Sequence, residues 1–257
     1  YYRDEPARAA ALRDGRLHTG DIGYLDADGD LWVLDRRGGR GGHGGGKGSP
    51  GGGGRGAGGE SGGARGGEYT LFREIPREGR LYAANRAAYD RGNLRDLSLS
   101  RADLEALIPV VQGRMPLIIT VHRAADIRNV LRLAQEENLD IILDGAEEGW
   151  RVADEIAAAG VPVLLNALAN LPQSFEVRGA TMENAARLHA AGVVIAIKGS
   201  EGSVHRAREA RYNAGNAVAH GLPYEAAMAA ITVNPARIFG LDSQFGGLRP
   251  GVAADVV

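Results

Sequence analysis

An imidazole stands at the end of an apolar run in the middle of this chain. Leu117–Val121 reads LIITV and passes directly into His122. A short run of aliphatic and β-branched residues is a buried strand, so His122 is delivered at its carboxyl end, where parallel sheets collect reactive groups. A neutral imidazole there suits a zinc-like ion; its other use is to cap or hydrogen-bond the start of a loop. Further polar groups close or follow other apolar runs: Asp144 in LDG, Ser200 and Glu201 in IKGSEG, and His205 in HRAR. A carboxylate at a strand-to-helix junction either ligates a metal or caps the next helix. Glu201 is otherwise a solvated loop acid, and His205 a polar residue opening a helix.

The elements around these residues alternate. Ser100 caps an amphipathic helix over Arg101–Ile108, with Leu104, Leu107 and Ile108 on one face and Pro109 ending it. Strand Leu117–Val121 is followed by helix Ala124–Glu137, strand Asp140–Leu143, helix Ala146–Ala159 and strand Val161–Asn166. Helix Met182–Ala191 precedes strand Val193–Ile197, and a longer helix covers His205–His220. Ala226–Ile231 and Pro235–Phe239 are helical, and Gly247–Val257 reads as an extended return. Nearly continuous apolar strands between amphipathic helices predict a parallel sheet covered on both faces. Trp150 and Leu133 read as core, Asp126 and Arg128 as helix-opening residues, and His189 and His220 as packing or surface residues.

Upstream, the composition changes twice. Between Gly38 and Gly67, 19 of 30 residues are glycine. Such a stretch buries too little to offset its ordering entropy and reads as a disordered linker. Arg40, Arg55 and Arg65 lack the aromatic neighbours and the regular repeats of an RNA-binding segment. Before it, Pro6–Arg13 is helical, Asp26–Gly29 is a turn and Leu31–Leu34 a strand. The predicted organisation is therefore a fragment at 1–37, a linker at 38–67 and an α/β region at 68–257. The 30 basic and 32 acidic residues balance, which leaves no bulk electrostatic case for nucleic acid or an anionic membrane surface. No apolar run approaches the roughly 20 residues of a membrane span. The absence of cysteine excludes disulfides and thiolate-ligated zinc. The chain starts Tyr-Tyr-Arg-Asp, with neither an initiator Met nor a signal-peptide core, and reads as a piece of a longer frame.

Two resemblances follow. LHTGDIGYLDADGDLWVLDRR is similar to the end of the large domain of adenylate-forming enzymes. That resemblance implies a ribose-binding carboxylate at Asp21 and an interdomain hinge at Asp35 and Arg36. The family's phosphate loop and catalytic lysine have no counterpart here, so it implies a fragment that does not bind ATP.

GRMPLIITVHRAADIRNVLRLAQE, GVPVLLNALANLPQSFEVRGATMENAARLHAAGVVIAI and RYNAGNAVAHGLPYEAAMAAITVNPARIFGLDSQFGGLRPGVAADVV resemble amidohydrolases close to imidazolonepropionase. The resemblance implies a partial (β/α)8 barrel of about four βα units, with a return strand toward a small β-sandwich. It implies hydrolysis of C–N bonds in amides or lactams by water activated on a divalent metal, zinc foremost. His122 matches the fifth-strand histidine ligand, and Asp144 stands where the sixth-strand histidine would be. Ser200 falls near the family's catalytic aspartate, with Glu201 or Asp144 as the substitute carboxylate and His205 facing the same mouth as a further metal ligand. His-x-His, the first-strand ligand pair, occurs nowhere. The expectation is an incomplete metal hydrolase of small molecules, without turnover as this chain and self-associating through open barrel edges. The alternatives are a non-catalytic binding module with a decayed site, or the remnant of an adenylate-forming ligase.

Overall fold

The computed structural model describes residues 21–25, 31–36, 65–169, 171–172, 177–199 and 208–252. They belong to two units, one of residues 1–117 with 137–140, the other of residues 118–136 with 141–257. The expected helix Pro6–Arg13, the turn Asp26–Gly29 and most of the glycine-rich stretch lie outside the described residues.

In the first unit, β1 (Asp21–Leu25) and β2 (Leu31–Arg36) pair antiparallel from Leu25↔Leu31 to Asp21↔Arg36, with a register shift at Ile22/Gly23. The strand expected at Leu31–Leu34 thus runs two residues further. A 26-residue helical segment, α1 (Arg65–Asp90), follows; it is kinked at Asn85, whose backbone leaves the helical region (φ −129°, ψ 28°), and it takes in Arg65, Gly66 and Gly67 that had read as linker. Pro76 and two early glycines hide it from a propensity reading. Tertiary packing forms it instead, because Tyr82 is wholly buried and Gly79 faces α2 (Arg101–Val111). A Cβ on Gly79 would lie 3.3 Å from the Leu107 Cβ, so glycine sets how closely the two helices approach. The caps fit the sequence: the Ser100 hydroxyl accepts from the Asp103 N–H at 3.3 Å. Pro109, however, does not end α2, which continues to Val111. Proline removes one donor there, and burying Val110, the residue that follows it, offsets that loss.

Glu137 is the charged centre of this unit. Its Oε1 accepts from Arg77 Nε at 2.9 Å and its Oε2 from Arg80 Nη1 at 2.7 Å. Burial alone would raise its carboxyl, but hydrogen bonds and charge from the two arginines outweigh that, and the group titrates below the ordinary range.

The second unit holds four strands in the order β3-β4-β5-β6: β3 (Leu117–Val121, whose first residue falls in the other unit), β4 (Ile141–Gly145), β5 (Val163–Leu165) and β6 (Ile195–Ile197). The β4–β5 and β5–β6 pairs are parallel. Order in space follows order in sequence, the arrangement of successive βα units. The helices are α3 (Ala124–Glu136), α4 (Ala153–Ala159), α5 (Asn184–Ala190), α6 (Ala210–Ala219), α7 (Tyr224–Ile231) and α8 (Val233–Ile238). Ile127, Leu143, Ile156, Leu165, Leu188 and Ile195 are all buried where strands meet helices.

Two expectations are corrected here. The helix expected over Ala146–Ala159 is broken into a single 3-10 turn at Gly149–Arg151 and α4. Gly145 (φ 92°) and Ala146 (φ 46°) are left-handed, which delays helix entry. The extended return at Gly247–Val257 is, over 247–252, a turn: Gly251 has φ 90°, and the Val252 N–H points back to the Arg249 carbonyl at 3.4 Å. Pro250-Gly251 is turn chemistry that outweighs strand propensity. Residues 253–257 are outside the described set.

Candidate functional site

Each strand of the second unit ends on a polar side chain: His122 after β3, Asp144 in the last turn of the pleat of β4, Asn166 after β5 and Lys198 after β6. The alternation of the pleat produces this row. In β3 the odd-numbered residues are buried, which leaves Thr120 on the other face, the one Asp144 meets.

His122 is braced from below. Its Nδ1 lies 2.5 Å from Glu147 Oε2, and both side chains are mostly enclosed. The turn that carries Glu147 is tied to β3 by backbone bonds, Ala146 N–H to the Val121 carbonyl at 2.7 Å and Glu148 N–H to the His122 carbonyl at 3.0 Å. Gly145 makes room for the ring: an added Cβ would stand 3.0 Å from His122 Nδ1 and 3.2 Å from Glu147 Oε2. A carboxylate this close to Nδ1 favours the tautomer protonated there, the one a supported ligand or base uses.

Asp144 has two partners. Lys198 Nζ reaches Oδ1 at 2.5 Å, and the Thr120 hydroxyl lies 3.4 Å from Oδ2. Asn213 on α6, wholly buried, donates through Nδ2 to the Lys198 carbonyl at 2.7 Å and to Asn166 Oδ1 at 3.0 Å. A single amide thus fixes the ends of β5 and β6. Behind the rim, Asn184 accepts the Trp150 N–H and donates to the Ala146 carbonyl, and Glu148 joins Ala124 N–H to Gly179 N–H. Asn234, on α8, acts on the sheet as well: its Nδ2 donates to the Ile195 carbonyl of β6 at 2.9 Å.

Of the residues singled out in the sequence, His122 and Asp144 stand on neighbouring strand ends. Ser200, Glu201 and His205 lie outside the described residues. Asp21 and Arg36 face each other in the β1–β2 register, with Asp35 opposite Ile22. Glu147, Asn166, Lys198 and Asn213 escaped the sequence reading. Lys198 and Asn166 carried a usable signal, since each directly follows an apolar strand run; Glu147 and Asn213 resemble any loop acid or helical amide.

An α/β unit whose sequential parallel strands present polar groups at their carboxyl ends is part of a barrel enzyme scaffold. The sequence pattern of the amidohydrolase family matches residues 84–257, and the chain belongs to that family. It is similar to an amidohydrolase from Thermotoga maritima MSB8, with a TM-score of 0.65 and 26% identity, over 75% of this chain and 50% of that one. The four-stranded sheet is accordingly a partial (β/α)8 barrel. A 37-residue N-terminal segment is 60% identical to a 2-succinylbenzoate–CoA ligase of Bacillus mycoides (strain KBAB4) and 57% identical to one of Bacillus cereus (strain ATCC 10987 / NRS 248). The chain spans half the length of the amidohydrolase and 8% of the ligases.

Proposed function

We propose that this chain is a portion of an amidohydrolase-type hydrolase of C–N bonds in amides or lactams, and that it does not turn over substrate by itself. The observation that carries the reading is the His122–Glu147 pair at the end of β3, 2.5 Å from Nδ1 to Oε2. A carboxylate that accepts the far ring N–H is how a metal-ligating imidazole is oriented. The cofactor implied by the family is a divalent metal, zinc foremost, which when bound lowers the pKa of a water and polarises a carbonyl.

The donor set falls short of such a site. Among the described residues no three His, Asp or Glu side chains stand together in a group able to hold a metal. His122 is one suitable donor, while the Asp144 carboxylate is occupied by Lys198. We propose Glu201 as the catalytic carboxylate and His205 as a further ligand. The ribose-binding role of Asp21, with Asp35 and Arg36 as hinge, belongs to the ligase-like segment, and a lone ribose contact contributes little against the cost of binding. A non-catalytic binding module is the second reading, favoured by the Lys198–Asp144 pair.

Dialysis against zinc followed by elemental analysis, with an amide and lactam hydrolysis screen, tests this. Weak metal retention that falls further in His122→Ala, without hydrolysis, is expected. Turnover that is lost both in His122→Ala and with a chelator would overturn the claim of inactivity. Metal retention indifferent to His122 would favour the binding module.

A further inference from the structure

We infer that Lys198 is a built-in cation that occupies Asp144 and keeps it from acting as a divalent-metal ligand. The lysine is held in place. Its N–H donates to the Leu165 carbonyl at 3.0 Å, and its own carbonyl accepts from the buried Asn213. Its side chain crosses the end of β5, because β4 and β6 flank that strand and lie about 10 Å apart at normal strand spacing. The ammonium then meets Asp144 Oδ1 at 2.5 Å, with both side chains largely shielded.

A carboxylate in such a pair has its charge already neutralised. A divalent ion approaching Asp144 must displace the ammonium or sit beside it, and like charges at a few ångströms in a shielded site repel strongly. The mismatch between this donor set and the family's metal is therefore electrostatic as well as a matter of ligand number. Removing the ammonium leaves Asp144 beside Thr120, on the strand adjacent to that of His122, as an uncompensated acceptor for a cation.

The inference rests on the proposed site only for its location, and its test reads zinc binding rather than turnover, so either can fail alone. Zinc chloride is titrated calorimetrically into the full chain as wild type, Asp144→Asn, Lys198→Met, Lys198→Gln, Lys198→Arg and the Lys198→Met/Asp144→Asn double variant. Folding is followed by circular dichroism. Lys198→Met and Lys198→Gln should each tighten zinc binding by about tenfold or more. The double variant should lose that gain, while Lys198→Arg and Asp144→Asn should match the wild type. A folded Lys198→Met or Lys198→Gln chain with unchanged affinity overturns the inference, and so does Asp144→Asn weakening zinc binding with Lys198 still present. If neither neutral variant folds, tighter binding in Lys198→Arg counts against it, and wild-type-like behaviour of Lys198→Arg and Asp144→Asn supports it.

Discussion

Gly145 decides whether His122 and Glu147 can meet. Its φ of 92° is unfavourable for any residue with a Cβ, and that Cβ would also press on His122 Nδ1 at 3.0 Å and Cε1 at 3.1 Å. Gly160 has a comparable φ of 67° with nothing within 4 Å. Gly160→Ala should therefore cost about 1 kcal/mol from backbone alone, and Gly145→Ala about 2–3 kcal/mol, in urea unfolding. The imidazole nitrogen shifts of His122 should move in the second variant only. Equal costs and an unmoved imidazole would mean that the pair is insensitive to this contact. At this scale the sequence was informative where chemistry and periodicity coincided. His122 and Asp144 close apolar runs and so declared their position. Glu147 and Glu148 are adjacent loop acids with nothing local to separate them, yet one braces His122 and the other receives the Ala124 and Gly179 N–H groups.

Elements formed where the sequence placed them more reliably than they ended there. Strand cores such as Leu143, Val163 and Ile195 were legible because they are apolar on both faces. The segment after β4 was not, since AEEGWRVADEI has a helical pattern and its break depends on a partner 34 residues away. Asn184 accepts the Trp150 N–H at 3.0 Å and donates to the Ala146 carbonyl at 2.9 Å. Because Asn184 is fully buried, Asn184→Ala leaves both groups without this partner, and a loss of about 2–3 kcal/mol is expected in chemical denaturation. A loss below about 0.5 kcal/mol would show that the turn holds without it. α1 was illegible for a related reason: its stability lies in contacts with α2 and with Glu137, distant in sequence.

Glu137 also makes the first unit respond to acid. Its folded carboxyl titrates below the ordinary value of 4.5, because the Arg80 and Arg77 hydrogen bonds outweigh burial. A depressed folded value stabilises the fold above 4.5, and that contribution disappears as pH falls from 4.5 through the folded value. Glu155, with its partner Arg128, shifts the same way, but that pair is exposed and screened by solvent. Unfolding followed at pH 7 and at stepwise lower pH should show a decline that begins below 4.5, and Glu137→Gln should flatten it. An identical acid profile in the variant would assign the decline to other carboxylates.

For the whole molecule the question is what covers the ends of the sheet. Among the described strands, β3 and β6 are the outer members of the four-stranded sheet, each with one side lacking a strand neighbour. A closed barrel has no such edges, and unpaired N–H and C=O groups template association. Large apolar side chains are also exposed in the second unit, among them Leu171, Tyr212, Tyr224 and Leu248. Scattered singly they mean little, so the expectation of contact with another chain rests on the strand edges. No described helix is long and apolar enough to cross a membrane. The open edges of the sheet carry the expectation of a second copy of the chain as the contact. Sedimentation velocity across a range of concentrations should show a sedimentation coefficient that rises with concentration. Salt should alter it little, because the attraction is apolar and backbone-based rather than ionic. A single compact species of monomer mass at every concentration would show that this chain satisfies both strand edges internally.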